Sequence, residues 1–324
     1  MKIAFFEVRD WEKEYLQNAL KGSEVVFFTE KLSEENVESV QDCQAISIFV
    51  DSFINEKILE KLPQLKMVTV RATGFDQVNV AEAKKRGVAV CNVPAYGENT
   101  VAEHTFGLIL NLSRKIYQSI KKVREEGFSI GDVCGFDLKD KTLGIVGMGH
   151  IGQHVARIAY GFGMKILAFD THQDKDLAKQ FSIEYASLDD LLSRSDIITL
   201  HVPYNEHTHH LINANNIHRI KKGAYLINTA RGGVVETDAL LQALNEGILA
   251  GAGLDVLEGE HQMSEERERG FLKNMTTADY KMLLEDHMLM ERENVIVTPH
   301  NAFNSKEALE RILETTVENI KVFG

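Results

Sequence analysis

Arg231, Glu260 and His300 are three polar residues of this 324-residue chain whose types and settings suit one reaction. Arg231 follows Leu226-Ile227-Asn228-Thr229-Ala230 and precedes two glycines. Glu260 follows Gly253-Leu254-Asp255-Val256-Leu257-Glu258-Gly259, and His300 follows Val297-Thr298-Pro299. Each apolar run reads as a strand, and open parallel sheets put their ligands just beyond such strand ends. An arginine offers a planar fork that clamps a carboxylate in two parallel bonds. A histidine gives and takes a proton near neutral pH, and a carboxylate touching it favours its charged form. Together the three suit reduction of a 2-keto acid. The guanidinium would hold the acid and polarise the keto oxygen, and the imidazole would protonate that oxygen as hydride arrives.

The hydride source has its own signature. Val146-Gly147-Met148-Gly149-His150-Ile151-Gly152 is a Gly-x-Gly-x-x-Gly turn, entered from the apolar run 142–146 and left by an amphipathic stretch over 153–163. Gly147 permits the tight turn, Gly149 lets a pyrophosphate approach the backbone, and Gly152 lets the helix pack close to its strand. The free amides and positive dipole end of that helix then face the phosphates. A second strand over 165–169 ends in Asp170, 18 residues beyond Gly152. That spacing suits a carboxylate accepting from the adenosine ribose hydroxyls, and its charge repels a 2′-phosphate. The expected cofactor is NAD rather than NADP.

The elements that position these residues alternate between apolar runs and helical segments, the pattern of parallel sheets covered on both faces. Strands are expected over 2–6, 24–29, 45–50, 66–71 and 88–92, with helices near 12–20, 33–40 and 55–61. Further strands fall near 142–146, 165–169, 197–201, 224–228, 250–255 and 294–297. This predicts an α/β protein of two doubly wound parallel-sheet domains with a cleft between them. Pro94 and Pro299 flag the crossings, because proline stops helices and holds its predecessor extended. The expected substrate-binding domain is discontinuous, 1–97 plus 300–324, and the nucleotide-binding domain covers 98–299. Thr100 and Glu103 read as a capping box opening one long helix, with Ala102, Phe106, Ile109, Ile116, Ile120 and Val123 on its apolar stripe. A terminal helix over 305–322 is expected to return to the first domain. Between Glu260 and Asn294 a charged excursion carries Met275, Met282, Leu283, Leu284, Met288 and Leu289 at helical spacing, read as core filler.

Bulk properties narrow the function further. A net charge of −12 argues against nucleic acid, whose phosphates demand a basic face, and against anionic membrane surfaces. No apolar run approaches the roughly 18 residues of a membrane span. Residues 1–7 read as a strand rather than a signal peptide. Cys43, Cys91 and Cys134 are odd in number and lack paired metal spacing, so reduced thiols and a cytoplasmic location are expected. His207, His209 and His210 resemble a metal cluster, yet no partner stands at ligand spacing, and no metal is expected. His104 reads as a packed polar residue of the long helix, and His201 as a structural strand end.

In order and spacing the chain resembles the D-2-hydroxyacid dehydrogenase family over nearly its whole length, with Rossmann-like and flavodoxin-like domains. The matching motifs are the glycine turn 146–152, Asn228-Thr229-Ala230-Arg231-Gly232-Gly233, Gly253-Leu254-Asp255-Val256, and Thr298-Pro299-His300. The 29-residue interval from Arg231 to Glu260 is the family's, which makes Arg231, Glu260 and His300 the implied catalytic set and Glu258 a neighbour. The resemblance also implies NAD contacts from His150, Ile151, Asp170, Val202, Pro203, Thr208, Thr229, Ala230 and Asp255, with Asp255 on the nicotinamide amide. Substrate contacts are implied for the Thr73 and Gly74 amides, for Arg231, and for Tyr96 and Phe303 around the side chain. Within the family the chain looks most like the branch that interconverts pyruvate and D-lactate. Reductases of hydroxypyruvate, glyoxylate or branched 2-keto acids are the alternative, and an NAD-sensing corepressor is the alternative of another class. The 40 residues from Glu260 to His300 are long for the family. A homodimer formed through the helix after Thr100 is implied as well.

Overall fold

The computed structural model describes residues 1–128, 133–260, 262–263 and 276–323; His261, Met275 and much of the 261–293 excursion lie outside the described residues. The chain divides into two compact units, Met1–Tyr96 with Asn304–Gly324, and Gly97–Phe303. The second seam falls after Phe303, so His300 and Phe303 belong to the second unit.

In the first unit the elements run β1 (Lys2–Phe5), α1 (Asp10–Ala19), β2 (Glu24–Phe27), β3 (Ala45–Ile48), α2 (Glu56–Glu60), β4 (Met67–Val70), α3 (Val80–Lys85) and β5 (Ala89–Cys91). The strands form one parallel sheet in the order β2-β1-β3-β4-β5. Alternate side chains face opposite ways along each strand. Ile3 and Phe5 therefore join Leu16 and Leu20 of the α1 side, while Ala4 and Phe6 join Ile46, Ile48, Ile58 and Leu59 on the other. The helix expected over 33–40 is reduced to a 3-10 turn at Val37–Val40. There the Asn36 carboxamide accepts the Ser33 amide at 2.8 Å and donates to the Lys31 carbonyl at 2.8 Å, local bonds that compete with a helix.

In the second unit α4 (Glu98–Arg114) and α5 (Ile116–Glu126) lead into β6 (Thr142–Val146), α6 (His150–Gly161), β7 (Lys165–Phe169), α7 (Lys175–Phe181), β8 (Ile183–Tyr185), α8 (Leu188–Arg194) and β9 (Ile197–Leu200). Then follow β10 (Ala224–Asn228), α9 (Thr237–Asn245), β11 (Leu249–Leu254), α10 (Thr277–Met290) and β12 (Val295–Val297). Seven parallel strands lie in the order β12-β11-β10-β9-β6-β7-β8, so the chain reverses its direction of winding between β6 and β9. The edge strand β8 was not among the expected strands: only Ile183 is buried, and three residues make no apolar run. Leu143, Ile145 and Ile227 pack on one face with Phe106 and Ile109, and Val146, Leu200 and Leu226 on the other with Leu240 and Leu244. Each such side chain contributes about 1.5–3 kcal/mol when fully buried.

The single long helix expected after Thr100 is two helices. Gly97 caps α4 and its carbonyl accepts the Val101 amide at 2.8 Å, so Thr100 lies inside the helix and its capping box does not form. Glu103 instead takes the Asn99 carboxamide at 3.4 Å. The helix breaks at Lys115, which is left-handed at φ +50°. The break turns the apolar stripe outward, leaving Ile116, Ile120 and Val123 exposed rather than buried. In α10 only part of the apolar content fills the core: Leu283 and Leu289 are buried, but Leu284 and Met288 are exposed. The terminal helix α11 (Lys306–Phe323) packs Leu313, Val317 and Ile320 against Ile3, Phe5 and Met67 of the first unit.

Candidate active site

Most candidates of the second unit stand on the segments that follow the C-terminal ends of its strands. Gly147 follows β6, Asp170 follows β7, Val202 and Pro203 follow β9, Arg231 follows β10, Asp255 and Glu260 follow β11, and His300 follows β12. This is the edge where doubly wound sheets bind ligands, around the reversal between β6 and β9.

The glycine turn fits a dinucleotide. Gly147 is at φ +99°, and a Cβ there would stand 2.7 Å from the His201 carbonyl carbon and 2.9 Å from the Val202 nitrogen. A Cβ on Gly152 would overlap the Gly147 carbonyl, whereas Gly149 faces open space on its Cβ side, room for a pyrophosphate. Gly149 caps α6, whose first residues are His150 and Ile151. Asp170 Oδ2 accepts the Met148 amide at 2.6 Å and Oδ1 the His172 amide at 2.8 Å, which fixes the carboxylate beside the turn. After β9, Thr208 Oγ1 donates to the Pro203 carbonyl at 2.5 Å and closes a compact loop.

Asn228 ends β10 and sets Arg231. Its Oδ1 accepts the Ala230 amide at 3.0 Å and its Nδ2 donates to the Arg231 carbonyl at 2.9 Å, an Asx-type turn. Thr229 and Ala230 are buried in this turn, Thr229 Oγ1 lying 3.0 Å from Thr105 Oγ1. A Cβ on Gly232 would overlap the Leu257 carbonyl, so the Arg231 turn rests directly on the turn that delivers Glu260. His210 joins the two: its amide donates to the Gly233 carbonyl at 2.8 Å, and its Nε2 lies 2.5 Å from Glu258 Oε1.

His300 is left-handed at φ +48°, and its Nδ1 stands 3.2 Å from Glu260 Oε1. With Nδ1 turned to Glu260, Nε2 is the ring atom left to meet a substrate. Both side chains remain about a third or more exposed, 35% and 41%. Asp255 is 1% exposed and holds this loop from beneath. Its Oδ1 accepts the Thr298 hydroxyl at 2.5 Å and the Asn301 amide at 2.9 Å, and its Oδ2 accepts the Ala302 amide at 2.8 Å. His104 Nε2 of α4 reaches Asp255 Oδ1 at 3.3 Å and Thr298 Oγ1 at 3.1 Å. Burial alone would raise the Asp255 carboxyl, but the bonds from His104, Thr298, Asn301 and Ala302 outweigh it and hold it below the ordinary value. Burial drives the His201 imidazole down to about 3, so that ring stays neutral and carries no proton to a substrate.

The structure thus brings Glu260 to His300 and stacks the Arg231 turn on the Glu260 turn. It gives Asp255 a task that the sequence did not reveal, fastening the His300 loop. His104, Asn228, Thr298 and His210 do similar work; only the strand-end positions of Asn228 and Thr298 signalled it. His209 and His210 stack at 3.9 Å between ring centroids, and among the described residues no group of three potential metal ligands occurs. Phe303 is half-buried with its Cβ close to Gly97. In the first unit, Thr73 and Gly74 follow β4, and among the described residues neither amide donates a hydrogen bond. Tyr96 is buried, with its carbonyl accepting Arg311 Nε at 2.7 Å.

Known proteins agree with this architecture. Residues 106–302 match the model of the D-isomer specific 2-hydroxyacid dehydrogenase NAD-binding domain. The D-lactate dehydrogenase of Escherichia coli strain K12 is 34% identical over 99% of this chain and 96% of its own. A glyoxylate reductase of Korarchaeum cryptofilum is 38% identical over 89% of this chain and 81% of its own. A crystal structure of D-lactate dehydrogenase from Aquifex aeolicus, complexed with NAD and lactic acid, superposes with a TM-score of 0.88 at 38% identity, covering 99% of this chain and 95% of that one. The chain belongs to the D-isomer-specific 2-hydroxyacid dehydrogenase family, NAD-dependent oxidoreductases of 2-hydroxy acids.

Proposed function

We propose that this enzyme reduces pyruvate to D-lactate with NADH, and that Arg231, Glu260 and His300 carry the reaction. The observation behind this reading is the His300–Glu260 pair at 3.2 Å, with the Arg231 turn resting on the turn that delivers Glu260. Arg231 clamps the substrate carboxylate with its fork and draws charge toward the keto oxygen. Glu260 accepts from Nδ1 and fixes the ring, so the Nε2 proton passes to that oxygen. NADH, held by the residues of the glycine turn and the strand ends, would supply the hydride that the substrate's second carbon takes up. His150, Ile151 and Gly149 face the phosphates in this reading, Asp170 the ribose, and Val202, Pro203, Thr208, Thr229, Ala230 and Asp255 the remainder of NAD. Thr73, Gly74, Tyr96 and Phe303 are proposed substrate contacts. A glyoxylate or hydroxypyruvate reductase is the second reading, favoured by the Korarchaeum relative at 38% identity. A panel of 2-keto acids under NADH separates the two, the first reading requiring the highest kcat/KM for pyruvate.

We also assign a homodimer, because α5 presents Ile116, Tyr117, Ile120 and Val123 exposed on adjoining turns. Its three cysteines are free thiols, which favours the reducing cytoplasm. Among the described residues no helix is long and apolar enough to cross a membrane.

A further inference from the structure

Glu258, Gly259 and Glu260 are consecutive, and each is held by a different partner. Glu258 takes His210 Nε2 on Oε1 and the Thr237 hydroxyl on Oε2 at 2.8 Å. Gly259 donates its amide to Asp286 Oδ2 at 2.9 Å, and Glu260 faces His300. Asp286 is the unusual member. It is fully buried at 0% exposure, and its Oδ1 has no hydrogen-bond partner among the described residues. A Cβ on Gly259 would stand 2.6 Å from Asp286 Oδ2 and 3.1 Å from Met282 Cγ, so the carboxyl is pressed against bare turn backbone.

Among the described residues the charged groups facing it are acids. Glu258 and Glu260 flank it from the turn and Glu285 from its own helix, while Lys281 is engaged with Asp238 and Glu285. Among the described residues no cation stands against it to compensate an ionised carboxylate, which would be costly to bury. Burial pushes the Asp286 carboxyl up, the Gly259 amide pulls it back, and repulsion from Glu258, Glu260 and Glu285 adds, leaving it at about 7.

We propose that Asp286 is a positioning residue for Glu260, seated as an uncharged acid beneath the Gly259 turn and unseating that turn when it ionises. The inference rests on the reading of Glu260 as the partner of His300. While protonated, the carboxyl accepts the Gly259 amide at no electrostatic cost and holds Glu260 in register. Once ionised, it is repelled by the glutamates on either side and drawn toward water, and the turn yields. The linkage has a definite sign. The folded carboxyl sits above the ordinary aspartate value of about 3.9, so the stability it allows is full below that value and is lost as pH rises toward 7.

The test pairs Asp286→Asn, which keeps an acceptor and cannot ionise, with Asp286→Leu, which removes the acceptor. Both are compared with the wild type by melting temperature and by D-lactate oxidation with NAD from pH 5 to 8.5. The Asn variant's advantage in Tm should widen as pH rises from 5 to about 7 and then level off, and its kcat relative to wild type should climb by at least ~3-fold between pH 6 and 8.5. The Leu variant should lose ~10-fold in kcat with the Kd for NADH within ~2-fold of wild type. A flat Asn-to-wild-type ratio in both measurements overturns the proposal, as does a Leu variant of undiminished kcat. If Leu prevents folding, the Asn series decides. A wild type inert toward every 2-hydroxy acid overturns the catalytic reading and the positioning role with it, and the melting series still reports whether Asp286 ionises.

Discussion

The His300 amide donates to the Asp255 carbonyl at 2.7 Å, so the imidazole is registered to the end of β11 through the main chain. The Asp255 carboxylate then takes the next two amides, of Asn301 and Ala302. A left-handed histidine after a proline is a strained conformation, and this triple attachment makes it the stable one. Ring placement therefore depends on a buried acid that need not touch the substrate.

Asp255→Asn should destabilise the second unit by roughly 2–4 kcal/mol, since an amide cannot accept three donors and a histidine as a carboxylate does. Denaturant melts at neutral pH measure this, and a loss under about 1 kcal/mol would contradict the role. Because the folded carboxyl lies below the ordinary value, its contribution is complete above about pH 3.9 and drains away as pH falls through the lowered value. The variant should therefore converge on wild type in acid.

Replacing Arg231 with lysine keeps the charge and removes the fork. We expect kcat/KM for pyruvate to fall by at least ~100-fold, about 2.7 kcal/mol of transition-state stabilisation. Steady-state NADH oxidation reads this directly, and a loss under tenfold would take Arg231 out of its role.

Glu260→Gln should lower kcat by at least ~10-fold while the Kd for NADH, followed by quenching of its fluorescence, stays within ~2-fold. A parallel loss of cofactor affinity would show that Glu260 acts on the nucleotide rather than on His300.

Asp170 is clamped by the Met148 and His172 amides, so its charge sits at a fixed point beside the glycine turn. Asp170→Ala should reduce the preference for NADH over NADPH by at least ~10-fold in kcat/KM. An unchanged ratio would assign the discrimination elsewhere.

The exposed stripe of α5 gives a test of assembly. Sedimentation should find a dimer for the wild type and a monomer for the Ile120→Asp, Val123→Asp variant, because two buried charges facing their own copies are costly. Dimers of equal stability would rule out this face.

Much of the architecture was legible because parallel strands buried on both faces are continuous apolar runs. The runs at 142–146, 165–169 and 224–228 coincide with β6, β7 and β10. Strand β8 escaped because an edge strand of three residues with Glu184 outward has no such run. The start of α4 was misplaced because Gly97 caps it without a side chain, while Thr100 and Glu103 imitate a capping box. The break at Lys115 follows from a left-handed residue that no glycine announces. In the site, strand-end residues were readable from their positions, but Asp255, His104 and Asp286 owe their roles to burial by distant elements, and burial has no signature at a single position.

The most direct test of the account is the initial rate of NADH oxidation by the wild type and His300→Asn enzymes across pyruvate, hydroxypyruvate, glyoxylate and branched 2-keto acids, with the product's handedness determined. We expect pyruvate to give the highest kcat/KM, D-lactate as product, and at least ~1,000-fold loss in the variant. Wild-type rates no higher than the variant's for every acid would contradict it.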